Sequence, residues 1–151
     1  MKTLNNTSIQ VVDALNQLLA DHQVYYQNLR GLHWNVKGTL FFALHTQFES
    51  YYNQASETVD ELAERILMLG GQPFHTMNEF LAHAGLTENS TISDGKKAVE
   101  LVLKDSEYLL TGVKSALLQA AEVSDEGTQA MLSERVSGYE KQIWMLKAFL
   151  G

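Results

Sequence analysis

Along residues 41–69 the apolar side chains fall at Phe41, Leu44, Phe48, Tyr51, Ala55, Val59, Leu62, Ile66 and Leu69, in steps of three and four. Steps of that size return to one side of an α-helix, whereas a strand would need alternation. The spacing therefore predicts a helix of roughly eight turns with a single apolar stripe. A helix of this kind stays folded only when the stripe is laid against other helices.

The rest of the chain supplies those helices. Before the stripe, Val12, Leu15, Leu19, His22, Tyr26, Leu29 and His33 step in the same way, with Val11, Leu18, Tyr25 and Leu32 as a neighbouring row. After it come Val99, Leu103, Ser106, Leu110, Val113, Leu117 and Ala120, and then Leu132, Val136, Tyr139, Ile143, Leu146 and Leu150. The first helix is expected to begin near residues 6–8, where Asn, Thr and Ser can cap it, and to end around residues 34–37, with Gly38 giving the turn. Gly70-Gly71 and Pro73 stop the second helix. Thr76-Met77-Asn78-Glu79 reads as a capping box opening a short helix that Gly85 closes. The third long helix starts near Ser93 or Asp94, and Gly112 inside it marks a close helix contact. Ser124-Asp125-Glu126 caps the fourth. The expectation is an all-α four-helix bundle over residues 8–151, after a short polar arm at residues 1–7. A short extra helix lies in the link between helices two and three, and that link lets those two run parallel.

On the second helix, His45 and Glu49 are one turn apart, as are Asp60 and Glu64, so either pair can offer ligands to one metal. The two pairs cannot share a metal within one chain. Fifteen residues of helix separate His45 from Asp60, roughly 22 Å of rise, against metal–ligand bonds of about 2 Å. Either two weak half-sites exist, or a second copy related by a two-fold axis brings the halves together. His33, before the Gly38 turn, can fold back beside His45. Two imidazoles and two carboxylates make a mixed nitrogen–oxygen set suited to iron, manganese or zinc. Taken singly, each residue has a plain structural reading: a packed histidine, or a solvated carboxylate beside a Glu61–Arg65 pair. His22 reads as a packed histidine, His75 and His83 as surface residues, and Trp34 as interface packing. No Glu-x-x-His pair occurs, which argues against a di-iron centre inside the bundle.

The sequence resembles the Dps family of starvation-induced mini-ferritins. The likeness lies in His33-Trp34-Asn35-Val36, Phe41-Phe42-Ala43-Leu44-His45, Phe48-Glu49 and Asp60-Glu61-Leu62-Ala63-Glu64-Arg65, in order and in spacing, and the helical pattern extends it over almost the whole chain. The resemblance implies a ferritin-like bundle assembled into a hollow homo-oligomer of twelve. Its ferroxidase centres would lie between two-fold-related subunits, with His33 and His45 from one chain, Asp60 and Glu64 from the other, and Glu49 as a further metal ligand or a supporting acid. It implies that ferrous iron is oxidised there, preferentially by hydrogen peroxide, and stored as ferric mineral. Acidic pores for cation entry are implied too, with Asp125, Glu126 and Glu134 as candidates.

Charge bears on the other activity in the family's name, DNA binding. The formal charge is −7, and twelve chains at −7 each amount to −84. Such a field attracts cations and repels nucleic acid. Family members that bind DNA do so through a longer, Lys-rich arm, whereas residues 1–7 hold only Lys2, and Lys96-Lys97 is the one adjacent basic pair. Little DNA binding is therefore expected, with nucleoid compaction as the alternative function. There are no cysteines, which excludes disulfides and thiolate sites. No apolar run reaches membrane-spanning length, and residues 1–10 lack a signal-peptide core, so the cytoplasm is the expected location.

Overall fold

The structure, a computed structural model, describes residues 6–151. Residues 1–5 of the expected arm, Lys2 included, lie outside the described residues, and Asn6 and Thr7 already belong to the first helix. The described residues form α1 (Asn6–Asn35), α2 (Phe41–Met68), α3 (Met77–His83), α4 (Gly95–Glu122) and α5 (Glu126–Leu150). Four long helices pack as a bundle, α1 against α2 and α4 against α5, with the short α3 lying on α1.

The α1 stripe is buried at Val12, Leu15, Leu19, His22, Leu29 and His33, with Val11, Leu18, Tyr25 and Leu32 beside it. Tyr26 is half-buried. On α2 the buried line runs Leu44, Phe48, Tyr51, Ala55, Thr58, Leu62 and Ile66. Thr58 takes the central place expected of Val59, because its hydroxyl bonds back to the Gln54 carbonyl at 2.9 Å and so needs no other partner. Each fully buried side chain of the size of Phe48 or Leu62 contributes about 1.5–3 kcal/mol. On α4 small and β-branched residues hold the centre: Ala98, Val99, Val102, Ser106, Val113, Ala116 and Ala120 are buried, and so is Leu109. The expected leucines Leu103, Leu110 and Leu117 flank them, half-buried. A Cβ on Gly112 would stand 3.2 Å from the Leu18 side chain, which is the close approach its position suggested.

The second helix ends as a Schellman turn. Gly71 N–H donates to Ile66 O and Gly70 N–H to Leu67 O, both at 2.9 Å, with Gly70 at φ 83°. A Cβ on Gly71 would come within 2.7 Å of Val12, so only glycine lets the turn sit against α1. The capping box at Thr76 and Glu79 is present. Asp94 and Asp125 cap α4 and α5.

Three buried polar residues of α1 hold the link from α2 to α4. Asn16 donates to Gln72 O (3.0 Å) and accepts from Phe74 N–H (2.9 Å). Asp21 accepts from Gly85 N–H (2.6 Å) and Leu86 N–H (3.1 Å). Asn28 donates to Thr87 O and accepts from Asn89 N–H, both at 2.9 Å. The anchors follow one another up α1, so the link runs along the bundle and returns the chain to the end where α1 stops. There Lys37 N–H donates to Ser93 O at 2.9 Å. Because α2 and α4 both start at that end, they run parallel.

Candidate metal centre

The turn at residues 36–40 places His33, near the end of α1, opposite His45, in the second turn of α2. Their rings stack with centroids 3.7 Å apart and 13° between planes. His33 Nδ1 lies 2.6 Å from His45 O, and His45 Nδ1 lies 2.8 Å from His33 O. A carbonyl only accepts, so each Nδ1 carries the hydrogen, and in the neutral ring the lone pair sits on Nε2. The His33 carbonyl can accept because α1 has ended: Lys37 N–H, its partner in a continuing helix, turns to Ser93 instead. Phe41 stacks on His45 at 4.8 Å, and Tyr52 meets His33 edge-on at 5.3 Å. Imidazoles that ligate a metal through one nitrogen are commonly held in this way by the other.

The carboxylates stand apart. Asp60 and Glu64 are exposed and make no hydrogen bond or ion pair among the described residues. Their neighbours are differently engaged from the i,i+4 pairing that the sequence suggested. Glu61 pairs with Arg135 of α5, and Arg65 pairs with Asp125 at 2.7 Å. The nearby guanidinium groups are thus engaged by Glu61 and Asp125, and two like charges one turn apart remain uncompensated, a mildly destabilising arrangement. Glu49 is also exposed. Its contact is the Tyr52 hydroxyl at 3.4 Å, and burial, followed by this carboxylate, raises the Tyr52 phenol above its usual range. Among the described residues no three metal-ligating side chains converge. One chain therefore holds two imidazoles at one end of α2 and two carboxylates roughly 22 Å away.

A model of the ferritin-like domain matches residues 12–151. The chain is 41% identical over 146 residues to the DNA protection during starvation protein of Brevibacillus brevis, covering 95% of this chain and 98% of that protein. It is 39% identical over 141 residues to DNA protection during starvation protein 2 of Bacillus anthracis, covering 93% and 97%. The crystal structure of a Dps protein from Vibrio cholerae O1 superposes with a TM-score of 0.94 at 40% identity, covering 96% of this chain and 91% of that one. The chain belongs to the Dps family of ferritin-like proteins.

Within this Dps-family chain, Tyr52 is the site neighbour that spacing did not single out. It lies one turn beyond Phe48 on α2, and only the fold brings its ring to His33. Trp34 is exposed, with the Arg30 guanidinium 4.8 Å above its ring. Phe42 is 83% exposed, its ring 5.4 Å from that of Phe41, which in turn stacks on His45. Of the three acids considered for a pore, Asp125 has both oxygens occupied, by the α5 cap, the Thr128 hydroxyl and Arg65. Glu126 and Glu134 are exposed. His22 is buried as expected, whereas His83, though exposed, stacks on Phe74 at 4.4 Å. No helix among the described residues is long and apolar enough to cross a membrane.

Proposed function

We propose that this protein is a ferroxidase and iron-storage mini-ferritin whose metal sites are shared between two-fold-related subunits. His33 and His45 of one chain, with Asp60 and Glu64 of its partner, bind ferrous iron. Glu49 serves as a further ligand or as an acid beside them. The observation that carries this reading is the division of α2. The imidazoles are set with their Nε2 atoms available, while the carboxylates carry uncompensated charge and no partner of their own. Exposed Trp34, next to His33 in the chain, and exposed Phe42, against Phe41, fit a second copy covering that end.

The carboxylates offset the charge of the iron and favour the ferric product. Two ferrous ions supply the two electrons that split the O–O bond of one hydrogen peroxide, and the ferric ions hydrolyse to mineral inside a cage of twelve. Consuming both reactants prevents hydroxyl-radical formation, which suits relatives named for DNA protection. The Vibrio cholerae protein is described as a member of a superfamily of diiron-carboxylate proteins, in keeping with iron as the substrate. The sequence offers no thiol for peroxide to oxidise, which suits a peroxide-handling protein, and the cytoplasm is its proposed location.

Anaerobic ferrous titration followed by added peroxide tests this reading. Saturable binding and oxidation much faster with peroxide than with oxygen are expected. Absence of saturable binding would remove it. Nucleoid compaction is the second reading, raised by the relatives' names. At −7 per chain, gel shifts should show little binding near neutral pH. Complexes that persist at physiological salt would favour that reading, because phosphate contacts weaken steeply with salt.

A further inference from the structure

His22 and Tyr139 take no part in the site above, yet they form a buried polar pair in the bundle. His22 is fully buried and Tyr139 nearly so. The Tyr139 hydroxyl lies 2.7 Å from His22 Nε2, and His22 Nδ1 lies 2.7 Å from Leu18 O. The carbonyl accepts, so Nδ1 carries the hydrogen and Nε2 offers its lone pair to the phenol. The phenolic proton therefore points at a base. Burial raises the Tyr139 phenol well above its usual range and lowers the His22 imidazole to about 4 against the opposing pull of the Leu18 carbonyl and Asp21. At rest both groups are neutral, and the proton stays on oxygen.

Aromatic rings reach from the histidine site to within one helical turn of this pair, with no ring contact across that last turn among the described residues. Tyr52 meets the His33 ring at 5.3 Å, and Tyr26 meets Tyr52 at 5.9 Å. Tyr26 lies one helical turn from His22 on α1. Tyr139 also lines a cavity of about 50 Å³ with Tyr25, Tyr51, Arg135 and Gln142. Arg135 Nε is buried there without a partner. Gln142 donates to Tyr25 Oη at 2.9 Å and Ser106 Oγ at 2.8 Å, so the pair sits among fixed dipoles.

We propose that the Tyr139–His22 pair is a redox site, a resting place for single oxidising equivalents that escape paired ferrous oxidation. The inference rests on the ferroxidase reading for the source of those equivalents. The oxidant is the hydroxyl radical formed when one ferrous ion, acting alone, reduces peroxide. An electron leaves Tyr139 toward the histidine site, crossing the one-turn gap between His22 and Tyr26 before the Tyr26 and Tyr52 rings, and converts the radical to hydroxide. The phenolic O–H bond breaks as the proton moves to His22 Nε2, leaving a neutral tyrosyl radical and an imidazolium. The imidazolium keeps the proton within the hydrogen bond, so a returning electron restores the phenol. Oxidising power is thereby held inside the bundle, away from the mineral surface and the solvent.

The first test uses iron-free protein and a flash-generated ruthenium(III) polypyridyl as one-electron oxidant, with absorption and electron paramagnetic resonance as readouts. A long-lived tyrosyl radical is expected in the native protein and its loss in Tyr139→Phe. In His22→Gln, which keeps an acceptor oxygen but lacks a basic nitrogen, the radical should decay quickly. A purely structural pair would lower the melting temperature of these variants without governing a radical. A ring-fluorinated tyrosine at position 139 retains the hydroxyl and tests the assignment without risk to folding. Its fluorine must split the resonance, and an unsplit line would overturn the proposal. The second test mixes ferrous-loaded fluorinated protein with peroxide and freeze-quenches it, and the same split signal is expected. Ferrous oxidation that proceeds without that signal overturns the sink and leaves the iron reading intact. A protein that oxidises no ferrous iron overturns the iron reading, while the iron-free measurement still decides whether the pair is oxidisable.

Discussion

The two ends of α2 are built in opposite ways. At its start, the His45 ring is stacked between His33 and Phe41, and its Nδ1 bonds to the His33 carbonyl. The contacts that orient it come from its own chain. Towards its end, Asp60 and Glu64 point into solvent without partners, while Glu61 and Arg65 on either side are tied to α5. One end is organised before anything binds and the other is left open. In the proposed shared site, this division would leave the geometry rigid at the imidazole end and the charge unpaired at the end proposed to receive a cation.

The largest effect should come from separating the two ends genetically. A chain with His33→Ala and His45→Ala, and another with Asp60→Ala and Glu64→Ala, should each be nearly inactive in ferrous oxidation. Unfolded, mixed and reassembled, mixed dimers hold one intact site and one that lacks both ligand sets. With random pairing about a quarter of all sites recover. Mixed dimers seen by mass spectrometry without recovered activity would break the shared-site model.

Acid should next distinguish the bundle interior from the exposed site. His22 takes a proton near 6.5 when unfolded but only near 4 when folded, because burial opposes the charge. Between those values the unfolded chain binds the extra proton. Stability is therefore full above about pH 6.5 and falls as pH drops toward 4, by on the order of 3 kcal/mol. Asp105, pushed up to about 6 by burial, has the opposite sign, its contribution being lost as pH rises from 3.8 to about 6. Denaturant melts of Asp105→Asn across this range should show the His22 dependence undiluted. Unchanged stability between pH 6.5 and 4.5 would contradict it.

The comparison sharpens further in iron-free protein. His45→Ala removes two ring contacts and a hydrogen bond, and should destabilise by about 1–2 kcal/mol. Asp60→Asn removes only charge repulsion, and should leave stability within about 0.5 kcal/mol while weakening ferrous affinity. Equal losses from the two substitutions would mean that the carboxylate end is held by contacts as the histidine end is.

Much of this was legible along the chain, and the boundary is set by sequence distance. Periodicity, the capping box at Thr76 and Glu79, and the Gly70-Gly71 stop are local signals, readable within a turn or two of helix, and they placed the helices to within a few residues. The arithmetic that kept His45 from meeting Asp60 in one chain needed only the helical rise. Along the helices, however, periodicity names a face without ranking its members. Thr58 displaced Val59 from the centre of α2, and Ala116 and Val102 displaced leucines on α4, because the closeness of the neighbouring helix decides which sizes fit. Pairings across the bundle carried no sequence signal at all. Glu61 chose Arg135 over Arg65, the link found Asn16, Asp21 and Asn28, and His22 found Tyr139 across 117 positions. Those partners were decided by tertiary packing, since a buried polar group must take whichever complementary group the fold sets within hydrogen-bond reach.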